Sequence, residues 1–332
     1  MNRRNTLLGI LALGASPLAA RAQPAAKPAR IVWLLMGRPP GSPEGALTTK
    51  PFVDALKQGL RELGHIEGKT FVFERRLSLG KAEDLPDLAS ELAAFKPDVI
   101  LANEQFARVA QQAAPNVPIV LNYSGDPVAS GLAKSLARPG GNVTGLATLN
   151  QDTSPKLLEF LLAVVPEPRR VAVLANPTVP SYPTILKNLQ NAAGQLKVDL
   201  VSIEVRAAAQ IDGAFARIAQ EKVRAVVVLG DTLVFVQRRQ IADLALKHGV
   251  ASIYPVREHV LAGGLISYGV NLADNFRRTA AYVDKILKGT KPGDLPIQQA
   301  TTLELVINRK TAKSLGLAIP QSLLLRADQV IE

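Results

Sequence analysis

Short apolar strands alternate with helix-like segments along almost the whole chain. The first run, Ile31–Met36, has the pattern of a buried strand, and Phe52–Leu63 has the pattern of a helix that Gly64 ends. Such alternation with short loops is typical of a parallel sheet covered by helices on both faces. The pattern breaks near Leu146–Thr153 and then starts again. The sequence therefore predicts an α/β protein with two Rossmann-like lobes, each built on a parallel sheet.

The same spacing rules predict elements in the less regular parts of the chain. Helix-like spacing runs from Val128 to Ala137, after the strand Val117–Leu121. A single helix is predicted over Phe235–His248. Near the end of the chain, Leu303–Asn308 is predicted as a strand and Lys310–Leu315 as a helix, and we expect both to pack on the second lobe.

The N-terminus has the features of a secretory signal peptide. Two arginines precede the apolar stretch Thr6–Leu13, and Ala20–Ala22 forms an A-x-A cleavage site. We therefore predict a signal peptide at residues 1–22, a flexible leader at 23–29 and a periplasmic protein. The paired arginines leave both the Sec and the twin-arginine export routes open. No cysteine follows the cleavage site, so we expect no lipid anchor.

Composition argues against several classes of function. The chain has no cysteine, so disulfides, thiolate metal sites and cysteine nucleophiles are excluded. The formal net charge of +11 falls to +8 when the three arginines of the signal peptide leave. The remaining basic residues are scattered and form no stripe, and aromatic residues make up only 5% of the chain, too few for base-stacking platforms. We therefore expect no nucleic-acid partner.

Enzyme motifs are also missing. Gly64–Thr70 resembles a phosphate-binding loop, but it is one residue short and joins a helix to a strand. No G-x-S-x-G nucleophile motif occurs, and the three histidines, His65, His248 and His259, are isolated in the sequence. We expect neither catalysis nor a cofactor or metal ion.

Polar residues that directly follow buried strands are the candidates for a ligand site, because ligands bind outside the carboxyl ends of strands in open parallel sheets. Among these candidates, Asn103 and Asp126 also suit helix caps. The candidates of the first lobe are Gly37, Arg38, Asn103, Glu104, Tyr123, Ser124 and Asp126.

The second lobe has equivalent positions. Asp231 follows a wholly apolar strand and is either a ligand contact or simply the start of a helix. The tyrosines either stack on a flat ligand or fill the core, and Arg257 suits a bidentate pair with a carboxylate. The candidates of this lobe are Asn176, Thr178, Asp231, Thr232, Tyr254, Arg257 and Tyr268.

Several motifs together resemble the tryptophan/tyrosine-type substrate-binding proteins of ABC importers. The resemblance rests on a PIV strand, a DP turn and a PGGNVTG turn between Val117 and Leu146, and it covers nearly all of the mature chain. The matching segments elsewhere are RELGHIEGK, HVLAGGLISYG, ELVINRKTAKSLGLAIP and LLRADQVIE.

The resemblance implies a type I periplasmic binding protein fold, in which two lobes close on a small solute. It implies an N-terminal lobe at residues 30–148 plus 271–294 and a C-terminal lobe at 149–270 plus 295–332. It also implies a monomer that works with an inner-membrane ABC permease and its ATPase. In relatives, the loop after the third strand is usually rich in Gly and Thr, so Glu104 suggests a changed or cationic specificity.

The candidate residues suit an amino acid, with its ammonium group at Asp231, its carboxylate at Arg257 or at backbone amides, and a flat side chain against tyrosine. Two other classes of function stay open at this point. One is an exported ligand-sensing module for a receptor, and the other is an enzyme on the same scaffold.

Overall fold

The structure is a computed structural model, and it describes residues 27–36, 43–78, 84–148, 150–166, 168–300 and 302–332. The predicted signal peptide, most of the leader, and the candidates Gly37 and Arg38 lie outside the described residues.

The first lobe begins with strands and helices in strict alternation. Its inner strands are rich in Val, Ile and Leu, which suits strands that are buried on both faces. The elements are β1 (Ala29–Met36), α1 (Pro43–Glu62), β2 (Phe71–Ser78), α2 (Asp84–Phe95), β3 (Val99–Asn103), α3 (Glu104–Ala113), β4 (Ile119–Tyr123) and β5 (Val143–Ala147).

The second lobe repeats the alternation. Its elements are α4 (Asn150–Val164), β6 (Arg170–Ala175), α5 (Tyr182–Leu196), β7 (Asp199–Glu204), α6 (Ile211–Gln220), β8 (Ala225–Val228), α7 (Thr232–Val236), α8 (Arg238–Lys247), β9 (Ala251–Tyr254), α9 (Arg257–Leu261) and β10 (Ile266–Val270).

The chain then returns to the first lobe and crosses back once more. Helix α10 (Leu272–Leu287) packs against α1, and β11 (Gln298–Gln299) pairs with β5. The last elements belong to the second lobe and are β12 (Leu303–Asn308), α11 (Arg309–Ser314), α12 (Gln321–Leu324) and β13 (Gln329–Ile331).

The two sheets confirm the α/β fold class. The first sheet has the order β11-β5-β4-β3-β1-β2 and is parallel throughout. The second has the order β13-β12-β10-β9-β8-β6-β7 and is parallel except where β12 runs antiparallel to β10. None of the helices in the described part of the chain is long and apolar enough to span a membrane.

Each sheet separates two apolar clusters. Along β1, Ile31 and Trp33 belong to one cluster, whereas Val32 and Leu34 belong to another. Successive strand residues point to opposite faces, so this division places one cluster on each side of the sheet. The sheet of the second lobe likewise lies between two clusters, which divide the residues of β6 in the same way.

Three sequence-based expectations need correction. Residues 128–137 form no helix, because Gly131 takes a left-handed backbone (φ +72°) that ends the single turn after Pro127. The predicted helix Phe235–His248 is divided into α7 and α8 at Gln237. The lobe boundary at residue 294 is too early, since Leu295 and Ile297 pack in the first lobe and β11 extends its sheet.

Candidate functional site

A cavity of about 130 Å³ lies between the lobes, at the carboxyl ends of both sheets. Parallel sheets leave polar loops at this edge, so each lobe contributes polar groups to the same space. The first lobe supplies residues at the ends of β1, β3 and β4, and the second supplies the segments after β8 and β9.

Glu104 provides a buried carboxylate on the side of the first lobe. It is the first residue of α3, and Asn103 caps that helix by accepting a hydrogen bond from the Phe106 amide at 3.1 Å. The Glu104 side chain is only 6% exposed, and burial raises its pKa despite three hydrogen bonds to one of its oxygens.

All three hydrogen bonds to Glu104 reach the same oxygen. Its Oε2 accepts from the Ser124 hydroxyl at 3.0 Å, from the Gly125 amide at 2.8 Å and from the Asp126 amide at 3.2 Å. Its Oε1 is buried and has no hydrogen-bond partner among the described residues. Glu104 thus combines one satisfied and one unsatisfied oxygen in a side chain that lines the cavity.

Asp231 provides the carboxylate of the second lobe. Its Oδ1 accepts a hydrogen bond from the Val234 amide at 2.6 Å and caps α7, and its Oδ2 accepts from Asn176 Nδ2 at 2.5 Å. Asn176 is held in turn by Thr178, whose amide and hydroxyl both donate to Asn176 Oδ1. Burial raises the pKa of Asp231 from its usual 3.8 to about 6 and outweighs these hydrogen bonds.

The apolar part of the cavity is an aromatic wall. Phe52 stacks on Phe276 with ring centroids 5.2 Å apart, and Trp33 meets Phe276 edge to face at 4.7 Å. The ring centroid of Phe235, in the second lobe, lies 6.0 Å from the ring centroid of Phe52. Because the wall is built by both lobes, it offers a flat apolar body a surface on which both lobes can close.

Direct contacts join the lobes around the cavity. The Asn103 side-chain amide donates to the Thr232 hydroxyl at 2.5 Å. Gly125 lies so close to Ser181 that an added methyl group would be 2.6 Å from the Ser181 hydroxyl. Gly230 fits against Tyr123 in the same way, with 2.7 Å between an added methyl group and the Tyr123 hydroxyl. The structure therefore shows the two lobes in contact across the site.

Among the described residues that line the cavity, the charged groups are the carboxylates of Glu104 and Asp231. His259 also lines the cavity, but burial lowers its pKa to about 3, so its imidazole is neutral at ordinary pH. No lysine or arginine is among the described residues that line the cavity. Within the same residues, no group of acidic and histidine side chains is arranged to hold a metal ion.

The structure brings five of the sequence candidates to the cavity surface, and four others lie close behind them. Ser124 and Asn176 hold Glu104 and Asp231, and Thr178 holds Asn176. Asp126 caps the turn that follows it by accepting from the Val128 and Ala129 amides. The candidates that line the cavity are Asn103, Glu104, Tyr123, Asp231 and Thr232.

Three candidates lie elsewhere. Tyr254 is fully buried and stacks on His259 with ring centroids 4.7 Å apart. Tyr268 is half-buried and packs edge to face on Phe160, against the core of the second lobe. Arg257 pairs with Glu304 at 3.1 Å and also donates to Gln329. None of the three lines the cavity, because the strand pleat turns both tyrosines towards the core and Arg257 points to β12 and β13.

Sequence reasoning missed the aromatic wall. Phe52 and Phe276 lie on helices α1 and α10, away from any strand end. Aromatic residues at helical spacing are indistinguishable from ordinary core residues in the sequence. Ser181 was also missed, although it occupies the N-cap position before α5.

Comparison with known proteins gives consistent matches. A family model described as ABC transporter substrate binding protein matches residues 48–331. A tyrosine-binding protein from Clostridioides difficile is 24% identical over 276 residues, which cover 82% of this chain and 79% of that protein.

Solved structures share the fold. A conserved domain protein from Vibrio cholerae is 27% identical with a TM-score of 0.81, and the match covers 92% of this chain and 100% of that one. An ABC domain from Streptococcus pneumonia, solved in complex with L-Trp, is 24% identical with a TM-score of 0.82 and the same coverage.

Proposed function

The chain belongs to the ABC transporter substrate binding protein family, and on this premise we propose that it is the exported solute-binding component of an ABC importer. It captures a small organic solute between its lobes and delivers it to an inner-membrane permease and its ATPase. The observation that carries the proposal is a cavity lined by both lobes, with Glu104 on one side and Asp231 on the other. Closure of two lobes suits this task, because it removes the solute from water and couples binding to a change of shape.

Within this proposal the solute is an aromatic amino acid or a close derivative of one. Support comes from the name of the tyrosine-binding relative and from the L-Trp complex of the structural neighbour. The site adds physical support, since its aromatic wall suits a flat ring and its two carboxylates suit a protonated amine. The proposed contacts are Asn103, Glu104, Tyr123, Asp231 and Thr232.

Native mass spectrometry tests this function. We expect protein that is purified without denaturation to carry a small molecule, which leaves when the protein is unfolded and refolded. The emptied protein should then bind an amino acid or amine in calorimetry. The absence of a bound molecule, together with no heat from a broad panel of amino acids and amines, would contradict the proposed function.

Export is part of the same proposal and has its own check. It rests on the basic and apolar segments before the A-x-A site at Ala20–Ala22. N-terminal sequencing of the periplasmic fraction should begin at Gln23 or within a few residues of it. An intact N-terminus on protein that stays in the cytoplasm would exclude export.

A further inference from the structure

Three donors at the end of β4 form a site for a carboxylate. The Ser124 hydroxyl and the amides of Gly125 and Asp126 converge within 3.2 Å of a single oxygen. Successive backbone amides that point into one concave space bind anions well, and hydrogen bonds to a charged acceptor are the stronger kind. These donors lie at the carboxyl end of a central strand, beside the cavity.

The protein fills this anion site with its own side chain. The bound oxygen is Oε2 of Glu104, which reaches the donors from the start of α3. A carboxylate of the ligand cannot use the same donors while Glu104 occupies them. The Glu104 side chain therefore supplies the carboxylate that a bound amino acid would otherwise place at these donors.

The second oxygen of Glu104 is left for the ligand. Oε1 is buried and has no partner in the part of the chain that the structure describes, and its side chain is 6% exposed and lines the cavity. A buried acceptor without a hydrogen bond destabilises the folded protein, and a hydrogen-bond donor of the ligand would remove this unfavourable free energy. A protonated amine is the donor that best suits a carboxylate oxygen.

We infer that the ligand is a primary aryl-alkyl amine without a free carboxylate, and that Glu104 selects it over the corresponding amino acid. This inference rests on the proposed function and narrows its substrate class. The amine lies between Glu104 and Asp231, and the aromatic ring lies on the aromatic wall.

The charges of the cavity support an amine over a zwitterion. A ligand carboxylate would lie near two protein carboxylates, and none of the described lining residues is a lysine or arginine that could compensate it. Asn122 lines the same cavity, and its buried Nδ2 has no hydrogen-bond partner within the described ranges of the chain. It is a neutral donor, which suits a hydroxyl oxygen and cannot offset a full negative charge.

Calorimetry with matched ligand pairs tests the inference. The pairs are 2-phenylethylamine with phenylalanine, tyramine with tyrosine, and tryptamine with tryptophan. For the wild-type protein we expect at least one amine to bind about tenfold or more tightly than its amino acid, because only the acid brings an uncompensated charge into the site. Equal or tighter binding of the amino acid in every pair would overturn the inference.

Two variants then assign the selectivity to Glu104. Glu104→Gln keeps the shape and removes the charge, so amine affinity should fall about tenfold or more. Glu104→Gly vacates the anion site, so the amino acid should gain affinity relative to its amine. The control is Glu91→Gln, which changes an exposed glutamate on α2 and should leave both affinities unchanged. Thermal melts check that each variant is folded.

The outcomes separate the inference from the proposed function. If Glu104→Gln leaves amine affinity unchanged in a folded protein, or if Glu104→Gly gives the amino acid no relative gain, the selectivity assigned to Glu104 is wrong. If native mass spectrometry finds a bound solute that is not an amine, the ligand class is wrong while solute binding stands. If neither series binds, the inference also fails, and the co-purified molecule then decides the proposed function.

Discussion

The Asp231 carboxylate is stabilised by neighbouring donors and destabilised by burial, and burial has the larger effect. Its folded-state pKa of about 6 lies above the usual 3.8, so the folded protein holds this proton more tightly than the unfolded chain does. The contribution of Asp231 to the free energy of unfolding is therefore fully present below pH 3.8, and it is lost as the pH rises through 6. The ligand-free protein thus keeps a destabilising charge in its binding site at neutral pH.

Asp231→Asn should reveal this effect. The difference in the free energy of unfolding, variant minus wild type, should be about 1–3 kcal/mol larger at pH 7.5 than at pH 4. The reason is that the wild type must ionise a carboxylate that the fold shields from water, whereas the variant has no ionisable group at this position. Urea denaturation at both pH values measures the difference. Asp243→Asn, an exposed position on α8, is the control, and parallel pH profiles for Asp231→Asn and the wild type would contradict the argument.

The same variant should bind its ligand poorly. Asparagine still suits the N-cap of α7 but carries no charge to pair with an amine. Affinity should therefore fall by roughly one to two orders of magnitude in calorimetry. A variant that gains stability at neutral pH and loses affinity would show that Asp231 is kept for binding at the expense of stability.

At the scale of single residues, the position of Asn103, Glu104 and Asp231 after buried strands correctly predicted that they lie together. Parallel strands end at a common edge of the sheet, and all three residues line the cavity there. That position does not indicate side-chain direction, and the structure places Tyr254 in the core of the second lobe and packs Tyr268 against it. The ligand contacts of the cavity-lining residues stay predictions. The hydrogen bonds that hold Glu104 depend on two segments twenty residues apart, and no local pattern indicates them.

At the scale of elements, the approach of the β4 end to the start of α5 controls how closely the lobes meet. Gly125 and Ser181 come from different lobes, and a methyl group at Gly125 would lie 2.6 Å from the Ser181 hydroxyl. Carbon and oxygen atoms do not normally approach so closely without a bond, so one lobe would have to shift. Ser181 is buried and has little room to move.

Gly125→Ala should therefore hinder closure without unfolding either lobe. We expect ligand affinity to fall about tenfold or more, with a small change in the melting temperature of the ligand-free protein. Adding Ser181→Gly should restore part of the affinity, because it removes the atom that the methyl group meets. Gly194→Ala on α5, where an added methyl meets nothing within 4 Å, is the control. Full affinity in Gly125→Ala would mean that the contact between the lobes is not needed for binding.

Periodicity predicted most elements of the fold, and its failures have local causes. The apolar spacing at residues 128–137 is real, but Gly131 turns the chain after one helical turn, and Leu132 packs in the core without a helix. The two-residue strand β11 and the short helices α9 and α12 are too brief for a periodic signal. Their positions are set by contacts with distant elements, such as the pairing of β11 with β5.

At the scale of the whole molecule, the two lobes are connected by three chain crossings, which follow β5, β10 and β11. The contacts that hold the lobes together around the cavity include the Asn103–Thr232 hydrogen bond and the Phe52–Phe235 contact. Opening of the lobes would expose the aromatic wall and the carboxylates to water. A ligand that contacts both lobes adds attractive contacts between them, and so it shifts the population towards the closed form.

Ligand should therefore make the protein both smaller and more stable. Small-angle scattering should give a smaller radius of gyration with saturating ligand than without it, because the open form becomes depopulated. Binding to the folded state alone should raise the free energy of unfolding by about 2.7 kcal/mol at a ligand concentration one hundred times Kd. Asp231→Asn at the same ligand concentration is the control, since weaker binding should give less compaction and a smaller rise in melting temperature. If the wild type gains stability while its radius stays constant, the ligand binds to lobes that are already closed, and capture by closure is excluded.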